Sequence, residues 1–270
     1  MGSVSKTDTE MNGHEDGASK YRVTINCDMG EAYGSWKMGP DDELMPLIDL
    51  ANVACGFHGG DPVVMHRTIK LAKKYSVPVG AHPSLPDREG FGRRHIDISP
   101  DHLFDQLVYQ VGALAGMLKA EGMELHHIKT HGYLWRMCEA SEAHCRAVMD
   151  AVKVFGTPIL LIAGTKMESM AAEMGLKIIP EFYPDIHYNE HGKLMSILRD
   201  GRVPLEDVTP KVLRIIEEDE VMAKTTGEAV KMNLAGRNFS CCIHSDLPHP
   251  VETLEAVRRA MREAKKGVTL

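Results

Sequence analysis

The chain has 270 residues, of which 43% are hydrophobic and 26% charged, with a formal net charge of −7. That length suits one large α/β domain or two small ones with a substantial core. The acidic balance lacks the footprint of a nucleic-acid binder, and no apolar run reaches the roughly 18 residues of a membrane span. Fourteen histidines beside only 6% aromatics invite a metal or acid–base reading without placing a site.

Residues 1–20 are polar and rich in Gly and Ser, with no apolar stretch of the secretory kind; they read as a disordered leader ahead of one domain over 21–270. The six cysteines show no Cys-x-x-Cys spacing, which fits free thiols in a reduced, cytoplasmic protein.

Short apolar runs predict strands at 22–27, 50–55, 77–81, 124–129, 158–162, 176–180 and 239–244. Helix-length segments fall at 62–75, 100–120, 141–155, 165–174, 209–234 and 251–266. Asp61-Pro62 and Ser99-Pro100 are helix starts, each a capping side chain followed by proline at the first helical position. Alternating strands and helices argue for right-handed βα units on a parallel sheet. Seven strands fit a β/α barrel better than two domains, with a doubly wound open sheet as the alternative.

The polar residues gather where these strands end: Asn26, Asp28 and Glu31; His58 and Asp61; His82; Lys129 and His131; Glu181 and Asp185; His244 and Asp246. Only the fifth strand, ending at Ile162, brings no ionisable group. In barrels and open α/β sheets alike, strand C-termini share the face that carries the site. Lys129 and His131, two residues apart in extended chain, point the same way, as do His244 and Asp246. Each also has a plain structural role open to it: Asp28 or Glu31 capping a turn, His82 locking a loop before Pro83. The other histidines, 126 and 127 among them, default to solvated or capping positions. Neither a phosphate loop nor a dinucleotide fingerprint is present, so any ATP dependence would reside in another protein.

The runs Asn26-Cys27-Asp28-Met29-Gly30-Glu31, Cys55-Gly56-Phe57-His58-Gly59-Gly60-Asp61-Pro62, Gly80-Ala81-His82-Pro83-Ser84 and Lys129-Thr130-His131-Gly132-Tyr133-Leu134-Trp135 resemble the LamB/YcsF family of lactam-utilisation proteins. The resemblance covers about residues 22–265. It implies a distorted seven-stranded β/α barrel of the glycoside hydrolase and deacetylase type. It also implies the first of three components of a prokaryotic-type 5-oxoprolinase, opening 5-oxo-L-proline to L-glutamate with consumption of ATP alongside separate B and C subunits. The chain departs from the family pattern at Thr130, at Arg136 in place of asparagine, at Ile186 in place of arginine, and at Ser245 in place of glycine.

Opening a lactam needs a water, a base, an oxyanion donor and an acid for the leaving nitrogen. Asp28 with Glu31 is the expected base; Lys129 and His131 are expected to stabilise the oxyanion or protonate nitrogen. Asn26, His58, Asp61, His82, Arg93, Glu181, His244 and Asp246 are the expected substrate contacts. Asp28, His58 and His82 form a candidate divalent-metal set. Two other readings stay open: a stand-alone lactam or amide hydrolase working without ATP, favoured by the departures, and a non-catalytic substrate-binding component. Self-association of the chain is also left open.

Overall fold

A computed structural model describes residues 21–264 together with the backbone of Val268 and Thr269; the expected leader lies outside the described residues. In chain order the elements are β1 (Tyr21–Met29), α1 (Asp41–Leu44) running into a 3-10 turn (Met45–Leu47), β2 (Leu50–Ala54), α2 (Pro62–Lys74), β3 (Val79–His82) and α3 (Pro100–Ala120). There follow β4 (Leu125–Ile128), α4 (Tyr133–Ala140), α5 (Glu142–Phe155), β5 (Ile159–Ile162), α6 (Lys166–Glu173), β6 (Ile178–Phe182), α7 (Ile197–Asp200) and α8 (Leu205–Glu218). The chain ends with β7 (Glu220–Met222), β8 (Ala229–Lys231), β9 (Phe239–Ile243), α9 (Pro250–Glu263) and β10 (Val268–Thr269).

Strands β1 to β6 run parallel in sequence order, β6 pairs with β9, and β9 pairs back onto β1. The result is a closed seven-stranded parallel barrel with helices around it, as the strand rhythm predicts. Both proline-marked helix starts form as expected. The Asp61 carboxylate accepts the amides of Val63 and Val64, both at 2.9 Å, at the start of α2, and Ser99 caps α3 by accepting from His102.

Three elements differ from expectation. The apolar periodicity at 209–234 resolves into α8, which starts earlier at Leu205, and an antiparallel hairpin of β7 and β8 that begins after Asp219 turns left-handed at φ 58°. The helix α4 follows directly on Gly132, whose φ of 61° no side chain favours. The sixth strand runs through Pro180 to Phe182, which moves Glu181 from a loop into the barrel wall.

The apolar core lies between barrel and helices. Along β1, Val23, Ile25, Cys27 and Met29 are wholly buried in it. The alternate residues Asn26 and Asp28 face the barrel axis, so the interior is polar. Closed hydrogen bonding offsets the desolvation this entails. Asn26 donates to Ser240 Oγ at 2.8 Å, and Asn52 donates to Asn26 Oδ1 and Asp28 Oδ1, both at 2.8 Å. His127 Nε2 reaches Asn52 Oδ1 at 2.7 Å across Gly80, where a Cβ would intrude on the imidazole ring. The strand register sets these levels: Asn26 lies opposite Cys242, and Asp28 opposite Asn52.

Candidate active site

Above the polar plug, at the C-terminal ends of the strands, opens a cavity of about 420 Å³. Asp28, His82, Lys129, His131 and His244 face it from the strand ends; Arg93, Trp135, Arg136, Tyr183, Ile186, Met195 and Arg199 are among the residues lining it around them.

Lys129 sits at the centre of this floor, 2% exposed. Its ammonium donates to Asp28 Oδ1 at 2.6 Å and to Cys242 Sγ at 2.9 Å, with Glu181 Oε1 3.7 Å away. Burial opposes the charge on Lys129, but Asp28, Cys242 and Glu181 together outweigh it and hold the pKa well above the usual lysine value. Burial likewise pushes Asp28 upward, yet His82 and Lys129 overcome it, and the carboxyl stays well below its ordinary range. The pair is a fixed ammonium–carboxylate.

A second chain of contacts leaves Asp28 on its other oxygen. Oδ2 lies 3.3 Å from His82 Nε2, which in turn lies 3.0 Å from His131 Nδ1. The outer nitrogens of both rings donate to backbone carbonyls, His82 Nδ1 to Lys129 and His131 Nε2 to Phe91, each at 2.8 Å. His82 Nε2 thus lies between Asp28 and His131, within reach of both. Burial, reinforced by His58 and His82, pushes His131 well below the usual histidine value and leaves it a neutral imidazole.

Across the floor, His244 Nδ1 meets Asp185 Oδ2 at 3.0 Å, and the same oxygen accepts the His244 amide at 2.9 Å. Burial disfavours the imidazolium, but Asp185 prevails and raises the pKa of His244. The loop that carries Asp185 is pinned from α8 by Lys211, which donates to the carbonyls of Tyr183 at 2.9 Å, of Pro184 at 3.3 Å, and of Ile186.

Of the residues expected from sequence, Asp28, His82, Arg93, Lys129, His131 and His244 line the cavity, and Asp246 holds Arg93 at 2.8 Å. Four others lie behind or beneath it. Asn26 belongs to the polar plug. Glu181 sits below Lys129 and accepts from the Tyr183 hydroxyl at 3.1 Å. Glu31 and His58 form a buried pair, Oε1 to Nε2 at 3.1 Å, behind His131. Burial, with Asp28 and Asp246 adding to it, pushes Glu31 well above the carboxylate range and favours its protonated form. Asp61 caps α2 and also accepts the Gly34 amide at 2.9 Å; it lies outside the cavity, because a carboxylate committed to three amides faces the helix end.

Sequence reasoning placed Asp185 at a strand end without giving it a role, and missed Asn52, His127, Cys242, Arg136 and Arg199 as contributors. His127 is buried rather than solvated, and the signal for it was its place two residues before Lys129 and four before His131 on one strand face.

Two side-chain groups bring metal-type donors within 4.8 Å of one another: Glu31, His58, His82 and His131, and separately Asp28, Cys242 and His244. The expected set is divided between them, with His58 and His82 in one and Asp28 in the other. In the second group the Lys129 ammonium already sits against Asp28 and Cys242. In the first, the rings of His58 and His131 stack 3.8 Å apart and 7° from parallel. An imidazole lone pair lies in the ring plane, so these two do not converge on one ion. Neither group as arranged fits a four-coordinate site.

Residues 23–269 match the model of the LamB/YcsF family. The chain belongs to the LamB/YcsF family. It is 41% identical over 247 residues to the lactam utilization protein lamB of Emericella nidulans, covering 92% of this chain and 97% of that one. It is 38% identical over 246 residues to the 5-oxoprolinase A subunit of Pyrococcus furiosus, covering 90% and 94%. The crystal structure of the lactam utilization protein from Thermus thermophilus superposes with a TM-score of 0.82 at 38% identity, covering 92% of this chain and 98% of that one. The barrel is therefore the fold of this family.

Proposed function

We propose that this LamB/YcsF chain is a hydrolase that opens a lactam ring, with 5-oxo-L-proline as the substrate class and partner B and C subunits coupling the step to ATP. The observation that carries the reading is the buried Lys129–Asp28 pair at the floor of the cavity, with the Asp185–His244 pair across from it. The names borne by the family relatives support the substrate class.

Lactam hydrolysis adds water to the ring carbonyl and breaks the C–N bond. In this site the carbonyl oxygen points to the Lys129 ammonium, which is held protonated and ready for the developing negative charge. The water proton passes to the Asp28–His82–His131 contacts, whose end members are both weak bases, the carboxylate of Asp28 and the imidazole of His131 each being held below its ordinary pKa. His244, carrying a proton through its pairing with Asp185, delivers one to the leaving nitrogen. Proton count balances: one is taken from water, one given to nitrogen.

The low pKa of Asp28 makes it a weak base. An amide carbonyl is a poor electrophile and the base is weak, so such a site suits ring opening coupled to ATP hydrolysis by partner subunits.

The test measures glutamate formed from 5-oxo-L-proline by the full chain alone, with B- and C-type subunits, and with or without ATP. The reading predicts turnover only with partners and ATP. Turnover by the chain alone without ATP contradicts the coupling and favours a stand-alone hydrolase. Turnover by the complex undiminished in H244Q and K129M reduces this chain to a substrate-binding component.

A further inference from the structure

The cavity carries a charge opposite to that of the whole chain. Against a formal net −7, its lining holds four formal cations, Arg93, Lys129, Arg136 and Arg199, and a single carboxylate, Asp28. Two of the cations are already engaged: Lys129 with Asp28 at 2.6 Å and Arg93 with Asp246 at 2.8 Å. Arg136 and Arg199 have no carboxylate partner among the described residues. Arg136 extends from α4, its guanidinium 5.9 Å from the centre of the Trp135 ring; Arg199 comes from α7, in the segment after β6.

A guanidinium is a planar fork of donors shaped for the two oxygens of a carboxylate or the edge of a phosphate. Cations concentrated in a cleft also focus the field there and draw anions in. Both arginines are exposed residues of the cavity lining, so an anion entering from solvent meets them with their donors free of carboxylates.

We propose that Arg136 and Arg199 form an oxyanion-binding subsite that takes the carboxylate of a lactam acid while its ring carbonyl faces Lys129. The ring rests on the lactam reading; the anion subsite does not. Phosphate shares the chemistry and is the alternative source of the anion.

Fluorescence reports occupancy directly. The chain has two tryptophans, Trp36 at 65% exposure and Trp135 in the cavity lining. With Trp36→Phe as background, the full chain is titrated with 5-oxo-L-proline, with 2-pyrrolidone, which has the same ring and no carboxylate, and with inorganic phosphate. The expected result is binding of 5-oxo-L-proline tighter than 2-pyrrolidone on the order of tenfold to a hundredfold. R136Q and R199Q each lose most of that preference and the double variant all of it, while R136K keeps part, with melting temperatures unchanged.

Preference for the carboxylated lactam that survives in the double variant overturns the subsite, as does failure of every probe to bind. Arginine-dependent phosphate binding without discrimination between the two lactams overturns the carboxylate assignment. Binding needs no turnover. An arginine-dependent carboxylate preference in a chain that opens no ring with its partners would therefore retire the hydrolase reading and leave the subsite standing.

Discussion

At the residue scale the molecule is governed by how buried charge is satisfied. Asp28 is surrounded by donors, with Asn52 and Lys129 on one oxygen and His82 on the other. Asp41 shows the opposite case. Its Oδ2 accepts the Gly30 amide at 2.9 Å, but Oδ1 is buried with no hydrogen-bond partner, and burial raises the pKa from an ordinary 3.8 to about 6. The folded state thus binds this proton more tightly than the unfolded chain does. The contribution to stability is full below about pH 4 and is lost as pH rises through about 6. D41N, which keeps the shape without the charge, is expected to melt higher than wild type near neutral pH, by up to about 3 kcal/mol at 1.36 kcal/mol per unit. Melting curves from about pH 4 to pH 7.5 check it: the gap between the two proteins widens across that range. A constant gap contradicts the assignment.

His127 makes a second point at this scale. As one of the adjacent histidines 126 and 127, it has no local pattern that distinguishes it from a surface residue. Only its alternation with Lys129 and His131 marks it as inward-facing, and only the register of β2 and β3 brings Asn52 and Gly80 beneath it. Gly80→Ala is expected to displace the ring and unpair Asn52, destabilising the protein by about 1–3 kcal/mol, the usual cost of a buried polar group left without its partner. Chemical denaturation measures the loss.

At the element scale, what the sequence shows is what local chemistry decides. The starts of α2 and α3 were legible because Asp61-Pro62 and Ser99-Pro100 satisfy orphan amides wherever the chain goes next. The hairpin of β7 and β8 was not, because Val221 and Val230 pair across a turn and a run of mixed polar and apolar residues reads equally well as helix. The sixth strand reads as ending at Pro180, which brings no amide hydrogen to the ladder; in the barrel the pairing of Glu181 with both Ile162 and Ser240 carries the strand past it. Removing the cap of α2 separates a structural from a chemical role for Asp61. D61A is expected to lower stability by about 1 kcal/mol and to leave turnover per folded molecule unchanged. A drop in kcat with the melting temperature intact would return Asp61 to the site.

At the scale of the whole molecule, the barrel inverts the usual placement of its polar residues. Apolar side chains of the strands pack outward under the helices, and the axis is filled by Asn26, Asn52, His127 and Ser240, with the Asp28–Lys129 pair above them. The strand rhythm made the fold readable, and the polar strand ends pointed to the face where the cavity opens. The depth of each residue was not readable, since depth depends on register between strands far apart in sequence. That is why Asn26, Glu31, His58 and Glu181 turn out to support the floor, while Asp185, Arg136 and Arg199 reach the neighbourhood of the cavity from the loop and helices beyond the strand ends.

The central claim is that the Lys129 ammonium, held against Asp28 in this chain, stabilises the oxyanion of an opening lactam. The measurement is ring opening of 5-oxo-L-proline by the complex with partner subunits and ATP, comparing wild type, K129M and the charge-retaining K129R, each first shown by circular dichroism to be folded. The predicted result is a fall in kcat of ~10²–10³-fold for K129M, with K129R between the two. Equal kcat in folded K129M and wild type would contradict it.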